Sequence, residues 1–187
     1  MSTIVPRVAG AWSLAVAAVT VSGGCSGPYV APPGVVLTRF HSAAADADYA
    51  TYISCLTDDA VFIGTDDSEY WQGQQFRNFA KPYFDVGKGW KYVSVDRHFY
   101  YSPRGDIAWF DEKLDNAKLG RCRGSGVMVL RSGGWKIAQY VLSMPIPNDL
   151  AESVAAEVKS LSPPAAAHPP TVGPSPSQSG NSAGSHP

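Results

Sequence analysis

Two carboxylates, Asp66 and Glu112, are the strongest candidates in this sequence for acid–base catalysis. A carboxyl group in an apolar wall, as Asp66 would be beside Trp71, has a raised pKa and can act as a general base. The competing interpretation makes Asp66 the cap of the turn that it forms with Asp67 and Ser68. For Glu112 the alternatives are a ligand-binding or catalytic group and one half of a structural ion pair, since an unpaired buried charge is very costly.

Three further titratable side chains are weaker candidates for the same chemistry. Glu69 follows Asp66 in the same loop. His41 lies beside Phe40 in a predicted helix, where a hydrogen-bonded structural histidine is the simpler interpretation. His98 falls on the outer face of its predicted strand, away from any pocket, and is a poor catalytic candidate.

Other kinds of chemistry lack their sequence signatures. No His/Cys cluster has the spacing of metal ligands. Residues 124–126 (GSG) lie within a strand pattern, not at the strand–helix turn of a nucleophilic serine. No glycine-rich dinucleotide motif or phosphate-binding loop opens a helix. The sequence therefore predicts no metal and no cofactor, and its net charge of −1 argues against nucleic-acid binding.

Helical periodicity dominates the first half of the chain. Apolar residues recur at helical spacing over Val35–Leu56, with a break where Asp46–Asp48 caps a second short helix. The same period returns over Gly73–Phe84, where Pro82 is expected to end or kink the helix. A short strand, Ala60–Thr65, lies between these helical regions.

From Trp90 onward the apolar period changes to two, and short turns between the strands predict an antiparallel meander. A final helix, capped by Asn148, follows the meander. Helices, a short strand and then a run of strands are typical of the α+β class. The four predicted strands of the meander are Lys91–Tyr101, Asp106–Asp115, Gly120–Arg131 and Trp135–Met144.

Strand alternation gives one face of this meander an apolar lining with a few polar groups. Pairing Asp115 with Gly120 across the second turn puts Glu112 directly opposite Arg123 on that face. An apolar wall with a few convergent polar groups is the usual description of a small-ligand pocket. The predicted ligand-binding residues are His41, Tyr52, Trp71, Arg97, Phe110, Arg123 and Gln139.

The opposite face of the meander is unusually apolar for a surface that meets solvent. Such patches mark partner surfaces, so the sequence predicts a homodimer through this face unless the final helix or the tail covers it. Cys122 also falls on this face, away from Cys55, so no disulfide is expected between them. The predicted dimer residues are Trp109, Met128, Tyr140 and Leu142.

The two ends of the chain differ from this core in composition. Residues 1–24 combine a basic start, an apolar stretch and small residues, as export signal peptides do. The junction with Cys25 resembles the lipobox of bacterial lipoproteins, which implies lipidation of Cys25 and a membrane-anchored protein, in the periplasm or on the cell surface. A secreted soluble protein is the alternative. Residues 25–34 form a Pro/Gly tether, 35–161 the folded domain, and 162–187 a Pro/Ser/Ala/Gly-rich tail predicted to be disordered.

Seven segments, in this order along the chain, give the domain a specific resemblance. They are 41–45 (HSAAA), 62–66 (FIGTD), Glu69 with Trp71, 108–112 (AWFDE), 123–127 (RGSGV), 135–140 (WKIAQY) and 146–150 (IPNDL). Over about residues 41–150 the chain resembles the SnoaL-like branch of the nuclear transport factor 2-like (NTF2-like) superfamily. One departure is Tyr70, where arginine is expected. The resemblance implies a cone, a curved sheet wrapped around N-terminal helices, with an internal pocket.

Relatives with this cone include ketosteroid isomerases, polyketide cyclases, dehydratases and non-enzymatic ligand binders, so the fold does not fix the function. The expected function is binding of a small apolar or amphipathic molecule without chemical change. The first alternative is a cyclase, isomerase or dehydratase that uses Asp66 or Glu112 as its base. The second is a non-catalytic interaction module, which a pocket collapsed around Phe62, Phe110 and Trp135 would favour.

Overall fold

The structure, a computed structural model, describes residues 30–161. Its helices are α1 (Pro33–Ala45), α2 (Tyr49–Ser54), α3 (Gln74–Asp85) and α4 (Ala151–Leu161), the last preceded by a 3₁₀ turn at Asn148–Leu150. Its strands are β1 (Leu56–Ile63), β2 (Tyr70–Gln72), β3 (Val93–Tyr101), β4 (Ile107–Asn116), β5 (Gly120–Arg131) and β6 (Gly134–Ser143).

One sheet carries the fold, in the strand order β2-β1-β6-β5-β4-β3. Strands β3 to β6 form the predicted antiparallel meander, while β1 pairs in parallel with β6 and antiparallel with β2. The predicted α+β architecture is confirmed. The sequence missed β2 and the early start of β1, because the exposed pair Asp58 and Asp59 interrupts the apolar pattern of β1.

The helices fill the inner side of the curved sheet. The side chain of Asp48 accepts a hydrogen bond from the backbone N–H of Thr51 at 3.0 Å, which confirms the predicted cap of α2. Helix α3 runs through Pro82 to Asp85 instead of ending there. Its last turn buries Phe84, and the burial of that ring offsets the hydrogen bond that proline cannot donate.

The turn between β4 and β5 sets a register that differs from the predicted one. The side-chain oxygen of Asn116 accepts hydrogen bonds from the backbone N–H groups of Lys118 and Leu119, at 3.0 and 2.9 Å. Gly120 closes the turn with a φ of 73°, in the left-handed region that glycine adopts most easily. Asn116, not Asp115, therefore pairs with Gly120, and the hairpin is shifted by one residue.

This shift turns every side chain of β5 to the other face of the sheet. Glu112 lies opposite Gly124, whereas Arg123 lies opposite Lys113 and is exposed on the outer face. The predicted pairing of Glu112 with Arg123 is therefore wrong. Cys122 faces inward and is buried; it is nevertheless a free thiol, as is Cys55.

Strand β6 contains a bulge at Ala138, between Ile137 and Gln139. An extra residue in one strand inverts the alternation of all side chains beyond it. Tyr140 and Leu142, which the sequence placed outside, are therefore buried on the inner face, and Gln139 lies on the outer face.

These changes of face remove most of the predicted dimer surface. Met128, Tyr140 and Leu142 belong to the buried core. Of the four predicted dimer residues only Trp109 is exposed, where it stacks on Tyr100 with ring centroids 6.0 Å apart. A homodimer through the outer face stays a prediction, but Met128, Tyr140 and Leu142 cannot contribute to it because they lie in the core.

The predicted signal peptide, Cys25 and the predicted tail lie outside the described residues, as does the first half of the predicted tether, residues 25–29. Helix α1 begins at Pro33, which falls within that tether and is buried. None of the helices between residues 30 and 161 combines the length and the apolar character that crossing a bilayer requires.

Candidate functional site

A cavity of about 270 Å³ lies between the inner face of the sheet and the helices, and ten of its sixteen lining residues are Phe, Tyr or Trp. We call it the aromatic cavity. Its volume is near the lower limit for small-molecule pockets. The helices contribute the rings of Phe40, Tyr52, Phe76, Phe79 and Tyr83. The strands and loops contribute those of Phe62, Trp71, Trp90, Tyr92 and Tyr140.

Helix α3 supplies one side of this cavity through residues at helical spacing. Phe76, Phe79 and Tyr83 lie on one face of the helix because residues three or four apart are neighbours on its surface. The ring of Phe79 stacks on Trp71 of β2 with centroids 4.1 Å apart, and Phe76 stacks on Phe62 of β1 at 4.3 Å. The short strand β2 thus holds Trp71 against α3.

Glu69 is the only acidic side chain that lines the aromatic cavity, and no Lys or Arg of residues 30–161 lines it. The loop between β1 and β2 fixes its position. The Glu69 N–H donates to the carbonyl of Asp66 at 2.9 Å, and the Glu69 carboxylate accepts from the Asp66 N–H at 3.2 Å. Gly64 leaves the necessary room, because a Cβ at that position would collide with the Glu69 side chain.

Asp66 is exposed and does not line the aromatic cavity. Its carboxylate accepts hydrogen bonds from the hydroxyl and the backbone N–H of Ser68, and these bonds hold the pKa of Asp66 below its usual value. A pocket base requires the opposite shift. Asp66 therefore caps its turn, and its candidate role as a pocket base is wrong.

Glu112 lies behind the wall of the aromatic cavity with its side chain completely buried. Its Oε1 accepts a hydrogen bond from the Tyr140 hydroxyl at 2.8 Å and lies 2.7 Å from Nε2 of His41. Its Oε2 lies 2.8 Å from Nε and 2.7 Å from the outer guanidinium nitrogen of Arg97, which stands directly opposite on β3. We call Glu112, Arg97, His41 and Tyr140 the Glu112 cluster.

The cluster keeps Glu112 ionised. Burial alone would raise the pKa of Glu112, but its contacts with His41 and Arg97 outweigh burial and lower that pKa to about 2. Burial and the negative charge of Glu112 raise the pKa of Tyr140 well above its ordinary value, so the hydroxyl stays protonated and donates. A carboxylate so fully occupied is a poor proton acceptor, and Glu112 therefore positions His41 and Tyr140, which both line the cavity.

Gly124 is part of this arrangement although it has no side chain. It lies on β5 opposite Glu112, and a Cβ there would collide with the Tyr140 hydroxyl and with the Glu112 carboxylate. The hydrogen bond between these two side chains thus requires glycine at this position.

The predicted ligand-binding residues divide into two groups. His41, Tyr52 and Trp71 line the aromatic cavity. The other four do not: Phe110 is packed in the core, Arg97 binds Glu112, and Arg123 and Gln139 lie on the outer face. A collapse around Phe62, Phe110 and Trp135 does not occur, since only Phe62 lines the cavity, which stays open.

Most of the remaining lining residues were absent from the predicted set. Phe79 and Tyr83 carried a usable signal, because they continue the helical face that begins at Phe76. Trp90 stands just before the predicted strand Lys91–Tyr101 and Tyr92 falls inside it, whereas β3 begins only at Val93 and leaves both residues in the segment that precedes it. Tyr140 was assigned to the wrong face because nothing in the sequence of β6 indicates the bulge at Ala138.

Comparison with known proteins gives one family and a large group of solved structures. The family model of the SnoaL-like domain matches residues 35–147. No curated protein matches the chain.

The similar solved structures share the fold at low sequence identity. A provisionally assigned dehydratase of the NTF2-like family from Streptomyces avermitilis has a TM-score of 0.53 at 15% identity, over 61% of this chain and 94% of that one. An NTF2-like protein of unknown function from Pseudomonas putida has a TM-score of 0.51 at 14% identity, over 62% and 86%. A provisionally assigned ketosteroid isomerase from Parabacteroides distasonis has a TM-score of 0.50 at 17% identity, over 62% and 89%.

Proposed function

The chain belongs to the SnoaL-like domain family, and on the basis of its cavity we propose that the domain binds a small amphipathic molecule without changing it chemically. The observation that carries the proposal is the open aromatic cavity of about 270 Å³. Burying a ligand against these rings is favourable at roughly 25 cal/mol per Å² of apolar surface. Tyr92 and Glu69, which also line the cavity, give such a ligand polar partners.

The proposal assigns no base to the cavity. Asp66 is exposed, and Glu112 is saturated by hydrogen bonds and holds a depressed pKa. Neither of the two main carboxylate candidates, Asp66 and Glu112, is in a state to remove a proton from a bound molecule near neutral pH.

Native mass spectrometry of the full-length protein from its own host tests the proposal. We expect a co-purified small molecule with the wild-type protein and none with Thr65→Trp, because Thr65 lines the cavity and is exposed, so the new ring can fill it without disturbing the core. Asp67→Trp is the matched control, since Asp67 is exposed in the same loop and does not line the cavity. Equal retention of the molecule in both variants would contradict binding in this cavity.

An acid–base enzyme is the second candidate, and one observation favours it. His41 lines the cavity while its Nε2 lies 2.7 Å from Glu112, so the carboxylate orients the ring as in a carboxylate–histidine pair. If the Nε2–H of His41 donates to Glu112, Nδ1 is the ring atom that can accept a proton from a bound molecule. In this alternative His41 is the base, in place of the carboxylates suggested by the sequence.

Conversion of the co-purified molecule separates the two candidates. Incubating it with fresh wild-type protein should leave its mass and fragmentation pattern unchanged if the domain only binds. Time-dependent conversion that is lost in His41→Asn would favour the enzyme instead. Asp111→Asn, an exposed change on the outer face, serves as the control.

We further propose that Cys25 anchors the domain to a bacterial membrane through attached acyl chains. The support is the apolar stretch and the small residues that precede Cys25. Two or more acyl chains anchor a protein stably, at about 0.8 kcal/mol per buried methylene. In detergent phase separation the wild-type protein should enter the detergent phase and Cys25→Ala the aqueous phase; aqueous wild-type protein would contradict the anchor and favour a secreted soluble form.

A further inference from the structure

The geometry points to a small organic cation, of the methylated ammonium class, as the occupant of the aromatic cavity, with Glu69 as its counter-charge. This inference rests on the proposed function, because it names the ligand class of the same cavity. It depends on the charge of the lining, the aromatic rings, the protonation of the tyrosines and the volume of the cavity.

Among residues 30–161, Glu69 is the only Asp or Glu of the lining, no Lys or Arg belongs to it, and His41, the remaining titratable base there, has its Nε2 2.7 Å from the Glu112 carboxylate. Glu69 lines the cavity, and Arg97 is held by Glu112 behind its wall. Lys91 and Arg97 line a neighbouring groove between α1 and β3, which shares His41 and Tyr92 with the aromatic cavity. A cleft with one sign of charge and walls of low polarity attracts a ligand of the opposite charge.

The rings add to this preference for a cation. The face of an aromatic ring is negative, and a cation over Trp, Tyr or Phe gains about 0.5–2 kcal/mol, with Trp the best partner. Both Trp71 and Trp90 line the cavity. An uncharged molecule of the same shape gains only from apolar burial, while an anion is repelled by Glu69.

The tyrosines do not contribute to the negative charge of the cavity, which among the described residues comes from Glu69 alone. Burial raises the pKa of Tyr52, and burial together with nearby negative charge, including that of Glu69, raises the pKa of Tyr92. Both hydroxyls are therefore neutral and add no negative charge to the cavity.

The volume limits the size of the cation. About 270 Å³ holds a trimethylammonium head with a short polar tail, but not a long alkyl chain. Methylated ammonium groups are weakly hydrated and are recognised elsewhere by walls of aromatic rings. Glu69 is already fixed by the Asp66 N–H and by the room at Gly64, so little ordering is needed when the ligand enters.

Three probes of nearly the same shape test the inference: choline, its uncharged carbon isostere dimethylbutanol, and the anion dimethylbutanoate. Binding to the full-length protein is followed by calorimetry and by quenching of Trp71 and Trp90 fluorescence. We expect choline to bind at least about tenfold more tightly than dimethylbutanol, and dimethylbutanoate to bind more weakly than both. Glu69→Gln should reduce the affinity for choline about tenfold and leave that for dimethylbutanol within about twofold.

Asp67→Asn is the matched control, because it removes a negative charge from the same loop at an exposed position outside the cavity. It should change no affinity by more than about twofold. Dimethylbutanol binding as tightly as choline, or an equal loss for both probes in Glu69→Gln, would overturn the cation inference and leave the proposed binding function intact. Failure of all three probes to bind at millimolar concentration, with no co-purified molecule in wild-type protein, would overturn both.

Discussion

The Glu112 cluster and the aromatic cavity share a wall but differ in how their polar groups are satisfied. In the cluster, both oxygens of Glu112 have partners within 2.8 Å, and the carboxylate is completely buried. In the cavity, the carboxylate of Glu69 accepts one hydrogen bond, at 3.2 Å, and the residue lines an open space of about 270 Å³. The first arrangement is closed, and the second leaves binding capacity unused.

This difference indicates a separate role for each of the two carboxylates, Glu112 and Glu69. A buried charge must be paired within the protein to be tolerated at all, so Glu112 contributes to the fold. A charge at an open cavity can take its partner from outside, so Glu69 contributes to recognition. Changes in the cluster should therefore alter stability, and changes at the cavity should alter binding. His41 and Tyr140 belong to both regions and join them.

The largest expected loss of stability comes from breaking the ion pair of the cluster. Arg97→Ala leaves Glu112 buried without its cationic partner, so we expect a loss of about 3–5 kcal/mol in the free energy of unfolding. Arg123→Ala removes an exposed arginine from the outer face and should cost less than about 0.5 kcal/mol. Urea denaturation of both variants measures the two losses. Similar losses would contradict the register that pairs Glu112 with Arg97.

Those two arginines also show which part of the pairing of Glu112 could be predicted from the sequence. That Glu112 is buried with an arginine followed from the cost of an unpaired buried charge, and strand alternation put Arg97 and Glu112 on the same face. The partner was missed because a one-residue change in a turn exchanges the two faces of a strand. Asn116 sets that register through its side-chain hydrogen bonds, which an alternation pattern does not encode.

The cavity was predictable to a similar extent. The α+β architecture, the meander and the resemblance to the SnoaL-like branch indicated a pocket inside a cone, and His41, Tyr52 and Trp71 were correctly placed in it. The bulge at Ala138 could not be predicted, because a single extra residue leaves no periodic signature. It brings Tyr140 inside, where the hydroxyl completes the Glu112 cluster.

The next effect is a dependence of stability on pH. The pKa of Glu112 falls from its ordinary 4.5 to about 2 in the folded protein. The stabilisation from Glu112 is therefore complete above about pH 4.5 and is lost as the pH falls towards 2, with a total of about 3 kcal/mol. Unfolding free energies measured from pH 6 to pH 2 should show this loss.

The pH slope can be assigned to Glu112 by substitution. Glu112→Gln should be less stable at pH 6 and should have a much flatter profile between pH 4.5 and pH 2, because the titrating group is gone. Other aspartates with lowered pKa values, such as the exposed Asp48 and the partly buried Asp106, contribute the small slope that remains. An undiminished slope in Glu112→Gln would show that other carboxylates carry the dependence.

A smaller loss is expected from filling the space beside the cluster. Gly124→Ala introduces a Cβ that collides with the Tyr140 hydroxyl and with Glu112, so one of them must move. The expected cost is about 1–3 kcal/mol. Gly133→Ala is the matched control, since a Cβ at Gly133 meets no atom and the backbone there is not left-handed. Equal stability of the two variants would mean that the cluster tolerates displacement.

The smallest effects come from removing one hydroxyl in each region, and they test the division of roles most directly. Tyr140→Phe removes the donor to Oε1 of Glu112 and should cost about 1.5 kcal/mol of stability, because bonds to charged groups are the stronger ones. Tyr83→Phe removes a hydroxyl from a half-exposed ring of the cavity and should cost less than about 0.5 kcal/mol. Thermal and urea unfolding, read beside choline affinity, separate the two. If Tyr83→Phe destabilised the protein as much as Tyr140→Phe, the cavity wall would be as tightly coupled as the cluster, and the distinction between a closed structural region and an open binding region would fail.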